Sequence, residues 1–173
     1  MTVPVRPAIR PIREDERIEL ARLAGSHWGS STIVSRGVCH DVARLPCLLA
    51  VDGDRWLGVA AYRQDGDECE LVLLEAFQSG TGAGTALLEA IVDVARKSNR
   101  RRLWLVTTND NVDALRFYQR RGLRLVRLWA GSVDEARRNH KPEIPTTGND
   151  GIPIRDELEL ELVLEDAENQ PVS

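Results

Sequence analysis

The sequence predicts one α/β domain built on a mixed, mostly antiparallel central sheet of about seven strands, with helices on both faces. Three observations carry this. Asp52-Gly53 and Asp65-Gly66 separate three apolar runs, and Asp-Gly between such runs is a hairpin signal because glycine takes positive φ without a Cβ penalty. A glycine-rich segment, Gly80-Thr81-Gly82-Ala83-Gly84, opens a stretch with Leu88, Ile91, Val92 and Ala95 on one helical stripe. Near the end, Leu158, Leu160, Leu162 and Leu164 alternate with Glu157, Glu159 and Glu161, so the two sets face opposite ways along a strand.

In chain order, a short strand is expected at Ala8 to Arg10. A helix follows from about Asp15, with Ile18, Leu20, Ala21, Leu23 and Ala24 as its apolar positions. The mixed stretch from Gly25 to Arg44 reads as a second short helix or a loop. Cys47 to Val51, Trp56 to Arg63 and Glu68 to Ala76 form the antiparallel meander. The glycine-opened helix closes in Arg96-Lys97, where positive charge suits the helix dipole. Leu103 to Thr107 is a buried-type strand, and Asn111 to Arg121 a helix ended by Gly122, a residue suited to C′. Leu123 to Trp129 is a further strand. Gly131 to Asp156 is a long connection with a helical turn at Ser132 to Arg138, leading to the Leu/Glu strand. The domain is expected over 1–165, with 166–173 as a frayed C-terminal tail.

The chain has 173 residues, enough for one core and too short for two ordinary domains. With 42% hydrophobic and 29% charged residues it reads as globular rather than disordered. A net charge of -4 argues against a nucleic-acid binder, which advertises itself with basic excess. No apolar run approaches the roughly 20 residues needed to cross a bilayer, and Met1 to Pro11 lacks a signal-type apolar region. Cys39, Cys47 and Cys69 share no CxxC spacing, and His27, His40 and His140 are scattered. The expectation is therefore a cytoplasmic protein with reduced thiols, no metal, no membrane and no nucleic-acid partner.

The glycine-rich turn fails two phosphate-binding patterns. A Walker loop needs Lys then Ser or Thr after its last glycine, and Thr85-Ala86 follows here. A dinucleotide fingerprint needs a glycine at the sixth position, which is Thr85 or Leu87 in the two possible frames. What remains is either a plain loop or a strand-turn-helix whose free N–H groups receive a pyrophosphate. A second segment favours the latter. Ser79-Gly80-Thr81-Gly82-Ala83-Gly84-Thr85-Ala86-Leu87-Leu88, followed by Asn111-Val112-Asp113-Ala114-Leu115-Arg116-Phe117-Tyr118 and Gly122, resembles the acetyl-CoA-binding core of the GNAT N-acetyltransferase family. The family pattern is Arg/Gln-x-x-Gly-x-Gly/Ala, then Asn-x-x-Ala-x-x-x-Tyr ending near Gly-Phe. Ser79 stands where Arg or Gln is usual, and Leu123 where Phe is usual. The first change removes a side-chain contact to phosphate and leaves the backbone amides.

The resemblance implies a GNAT-like fold and an acyltransferase that moves acetyl from acetyl-CoA, its co-substrate, to a primary amine of a small molecule or peptide by direct attack. It places acetyl-CoA where the strands Glu68 to Ala76 and Leu103 to Thr107 splay apart. Main-chain groups near Leu74 and Ala76 would pair with pantetheine, Ser79, Gly80, Thr81, Gly82, Ala83 and Gly84 would hold the pyrophosphate, and Asn111 would bind cofactor or cap its helix. Tyr118 is either a core tyrosine or the proton donor to the departing thiolate. Glu70 is either a solvated strand residue or the group that takes the amine's proton. Simple alternation puts it with Val72 and Leu74, opposite Cys69, Leu71, Leu73 and Glu75. His27, Trp28 and Arg36 fall in the segment that walls the acceptor pocket in the resembled family. Arg116, Arg120 and Arg121 are candidates for the 3′-phosphate. The long late connection, with Asp134, Glu135, Arg155 and Asp156, can close over the acceptor or carry a homodimer contact. The same fold can also serve as a non-catalytic acyl-CoA sensor or adaptor.

Overall fold

The Asp-Gly turns do what the sequence asks of them. In the computed structural model, which describes residues 6–164, Cys47–Asp52 (β4), Arg55–Asp65 (β5) and Glu68–Ala76 (β6) form a continuous antiparallel meander. Gly53 and Gly66 at its turns have φ of 57° and 55°. Ala8–Pro11 (β1) pairs with β4, Arg102–Thr108 (β7) runs parallel to β6, and Glu157–Val163 (β9) lies between β7 and Arg124–Trp129 (β8). The seven-stranded order is β1-β4-β5-β6-β7-β9-β8. The expected tail at 166–173 lies outside the described residues.

Two cores sit on the two faces. Arg17–Trp28 (α1) buries Leu20 and Ala24 against Cys47, Leu49, Val51, Val59 and Ala61. On the other face Ala83–Lys97 (α2) buries Leu87, Leu88, Ile91 and Ala95 against Leu48, Ala60, Leu71, Leu103 and Leu105. Val112–Gln119 (α3) adds Tyr118 to that second core. Gly122 ends α3 with φ 89°, and Leu123 N–H bonds back to the Tyr118 carbonyl, as a glycine at C′ permits.

In the stretch from Gly25 to Arg44, Gly25 to Trp28 complete α1, and the part beyond them is not a second helix. It forms a separate hairpin, Thr32–Ser35 (β2) and Val38–Asp41 (β3), turned at Arg36-Gly37 with φ of 48° and 77°. Positive φ at both turn residues matches the tight hairpin geometry that suits right-twisted strands, although an arginine holds the first position. Ser132–Asn139 (α4) occupies the expected helical turn. Arg137 fastens it to the late connection through the carbonyls of Ile144, Pro145 and Ile154, and Lys141 Nζ reaches Thr32 O at 2.7 Å, tying that connection to the hairpin.

Simple alternation along β6 also fails. Ala61 faces Leu73 and Tyr62 faces Leu71, so Val72 is an extra residue, a β-bulge. Val72 and Leu73 both pack against the α1-side core, and the sense is inverted beyond them: Leu74 joins Leu71 on the α2 side, while Glu75 turns toward α1 and bonds His27. Glu70 and Glu75 therefore share the α1 face. The acidic side of β9 is likewise not a solvated side: Glu157 and Glu159 are 6% and 3% exposed.

β5 can approach β6 this closely because residue 58 is glycine. A Cβ there would lie 2.6 Å from the Glu75 carbonyl oxygen and 3.1 Å from Leu87 Cδ1. Gly58→Ala is expected to cost about 1–3 kcal/mol, the usual range for overpacking a core. Urea unfolding measures it, and an unchanged midpoint would contradict the close approach.

Candidate active site

The site begins with an opening in the sheet. β6 pairs with β7 only over Glu68–Glu70, opposite Arg102–Trp104, and the strands then part. β5 stays paired to β6 as far as Ala76, so from Leu71 to Ala76 the other edge of β6 has no strand beside it among the described residues. The bulge at Val72 sits where the gap starts, and a bulge bends and twists its strand. Such a gap leaves main-chain donors and acceptors in the middle of a sheet, where they require partners. Leu74 and Ala76 both stand on this edge.

Beyond the open end of the gap lies the glycine-rich turn. Gly80 and Gly82 have φ of 78° and 76°, and a Cβ on either would meet nothing within 4 Å. Gly82 is the N-cap of α2 and supplies no side-chain cap, and no acidic residue stands in the first turn. Among the described residues, Thr81 Oγ1 accepts from one of these amides, Ala83 N, at 3.4 Å. Free N–H groups and the helix dipole together make this turn a seat for an anion. A cavity of about 370 Å³ lies against it, lined by Arg6, Pro7, Gly80, Thr81, Gly82, Thr85, Ala86 and Glu89. Ser79 is exposed; Gln78, one place earlier, is bonded by Arg55. Gly84 serves packing instead, since its Cα faces the Phe117 ring and a Cβ would come to 3.4 Å from it. That contact docks α3 on the start of α2.

At α3, Asn111 caps the helix, its Oδ1 accepting from Ala114 N at 3.2 Å. Tyr118 is 7% exposed and lies in the core with Leu71 and Leu105, whose strands border the gap. Burial pushes its phenol well above the ordinary value, so it remains a protonated donor at neutral pH. Of the three phosphate candidates, Arg121 is committed to Thr85 Oγ1 and stacks on Phe117 at 3.7 Å, and Arg116 pairs with Asp113.

On the α1 face, Glu70 is buried rather than solvated, at 5% exposure. Its Oε1 accepts the Ser35 hydroxyl at 2.6 Å and lies 3.7 Å from His40 Nε2, while Arg63 is 4.0 Å from Oε2. One residue on, Arg36 N–H bonds Glu157 Oε2 at 3.1 Å, and burial raises that carboxyl's pKa. The Arg36 guanidinium stacks on Trp104 at 3.6 Å and approaches Glu159, which also binds Arg102 and Trp129 Nε1. The hairpin tip is thus pinned to three buried carboxylates, Glu70 on β6 and Glu157 and Glu159 on β9. A cavity of about 170 Å³ opens here, lined by Arg36, Arg63, Asp65, Glu68, Glu70 and Trp104.

The three acceptor-wall candidates do not converge. His27 bonds Glu75 at 2.9 Å, packs edge-on to Phe77, and lines a different cavity of about 540 Å³ with Glu19, Leu23, Asp54 and Trp56. Trp28 packs against the α1-side core. Only Arg36 stands near Glu70. Sequence reasoning missed Ser35, His40, Arg63 and Trp104, because only the hairpin and the strand pairing bring them to Glu70.

A model of the acetyltransferase (GNAT) family matches residues 12–123. Two Bacillus subtilis proteins are similar in sequence: YxbD, 42% identical over 137 residues (78% of this chain, 84% of that protein), and YdhI, 34% identical over 158 residues (91% and 98%). Among solved structures, a Bacillus subtilis acetyltransferase in complex with CoA superposes with a TM-score of 0.68 at 20% identity, over 92% of this chain and 99% of that one.

Proposed function

Because the chain belongs to the acetyltransferase (GNAT) family, we propose that it transfers acetyl from acetyl-CoA to a primary amine of a small molecule or peptide by direct attack. The observation that carries this is the gap between β6 and β7, with one proton-handling group on each face of the sheet. Extended pantetheine amides satisfy the open edge of β6 near Leu74 and Ala76, as an added strand would. The turn from Ser79 to Gly84 takes the pyrophosphate on its backbone N–H groups.

The reaction follows from the two faces. An acceptor arrives as ammonium and gives its proton to the Glu70 carboxylate; the amine nitrogen then attacks the thioester carbonyl. As the carbon–sulfur bond breaks, the Tyr118 hydroxyl donates its proton to the leaving thiolate, and the second proton, shed by the newly acylated nitrogen, restores that hydroxyl. An acyl-enzyme on Cys47 or Cys69 is disfavoured. Cys47 and Cys69 are buried, with pKa values pushed up to about 11, so neither is an available thiolate at neutral pH.

Thiol release from acetyl-CoA, followed across a panel of amines, amino acids and peptides, tests this reading. The expected result is thiol release matched by N-acetylated product for at least one class of amine. Tight acetyl-CoA binding with no transfer across the panel would instead favour an acyl-CoA-binding module.

A further inference from the structure

His40 is one of three histidines in the chain and belongs to no motif. It sits on β3, 7% exposed, on the inner side of the hairpin that covers Glu70. Its Nε2 is sealed from solvent and has no hydrogen-bond partner among the described residues, and the nearest acid oxygen is Glu70 Oε1 at 3.7 Å. An unpaired nitrogen in such a place is costly and calls for an explanation. The charged and titratable groups around it are few. Glu70 faces it from β6 and Arg63 from β5, while Glu157 on β9 and Arg36 at the turn stand one residue beyond Ser35. Burial and Arg63 hold the imidazole neutral against the pull of Glu70.

We propose that His40 is a positioning residue for acceptor deprotonation: it and Glu70 form a single unit that holds the proton taken from the amine. This rests on the reading of Glu70 as the proton acceptor. The ammonium N–H bond breaks and the proton goes to a Glu70 oxygen. That new O–H closes onto the Nε2 lone pair, and the proton is shared between carboxylate and imidazole. It then leaves to solvent through the cavity toward Asp65. Ser35 keeps Oε1 in place throughout. A carboxylate with an acceptor beside it holds a proton more tightly than one exposed to water, which brings a weak base nearer to working pH.

The first test needs no activity. With three histidines, imidazole resonances can be followed individually by NMR titration, and the His40→Gln variant assigns the signal. In Glu70→Gln the His40 titration is expected to fall by about one pH unit, since a facing carboxylate no longer stabilises the cation. An unchanged titration overturns the proposal. The second test uses whichever amine is turned over. His40→Gln is expected to lower kcat about tenfold, the cost of a weakened base. The acidic limb of the pH profile should move to lower pH, with KM for acetyl-CoA unaltered. A profile that superposes on wild type overturns the proposal even if the titrations are coupled. If no amine in the panel reacts, the transfer reading fails, while the titration still decides whether the pair is coupled.

Discussion

Tyr118→Phe is expected to lower the acetyl-transfer rate on the order of a hundredfold or more, the usual contribution of a positioned general acid. Acetyl-CoA affinity should change little. The variant keeps the ring that fills the core beside Leu71 and Leu105 and that meets Phe117 edge-on at 5.1 Å. What it removes is one O–H, held protonated by burial far above neutral pH. The alkaline limb of the rate profile therefore should not report this phenol titrating. The proposed binding groups are backbone N–H and C=O groups along β6 and at the start of α2, which the substitution does not touch. A tyrosine serving the core alone predicts the reverse, with turnover preserved and about 1 kcal/mol of stability lost with a hydrogen bond. Steady-state rates and thermal melting of the same variant separate the two. Equal rates with a lowered melting temperature would remove Tyr118 from the mechanism.

Parts of this site are legible in sequence for physical reasons, and other parts are hidden for equally physical ones. The meander is visible because Asp52-Gly53 and Asp65-Gly66 encode both their turns and the apolar runs they join. The anion seat and α3 are visible because glycines at positive φ and a helix cap are local requirements. The hairpin over Glu70 is not, because its turn is Arg36-Gly37. An arginine at φ 48° is an unusual choice there, and long-range contacts with Trp104 and Glu157 hold it in place. The bulge at Val72 has no composition signature of its own, yet it inverts the facing of everything after it on β6. The burial of Glu157 and Glu159 is equally invisible, because the Leu/Glu alternation of β9 looks like a solvated sheet edge until Arg36, Arg102 and Trp129 arrive from elsewhere in the chain. His40 and Glu70 are thirty positions apart in sequence, and neither announces the other.

Gly82→Val is expected to weaken acetyl-CoA binding by roughly ten- to a hundredfold, or about 1.4–2.7 kcal/mol of binding free energy. The substitution acts in two ways. Gly82 has φ 76°, which a β-branched residue adopts only under strain of about 1–3 kcal/mol, so the first N–H groups of α2 are drawn out of alignment. A Cβ there also meets no atom of the described residues within 4 Å; it projects into open space beside the turn, where the pyrophosphate is proposed to lie. Strain alone could lower stability and thereby blur the result, and Gly66→Val isolates it. Gly66 also has positive φ, 55°, and a Cβ added there would meet no atom of the described residues within 4 Å, but it turns the chain between β5 and β6, away from the start of α2. Both variants should melt at lower temperature than wild type without ligand, and only Gly82→Val should lose affinity in calorimetric titration with acetyl-CoA. Equal affinity in the two variants would mean that the glycines at 80 and 82 merely turn the chain, and the pyrophosphate would have to be sought elsewhere on the molecule.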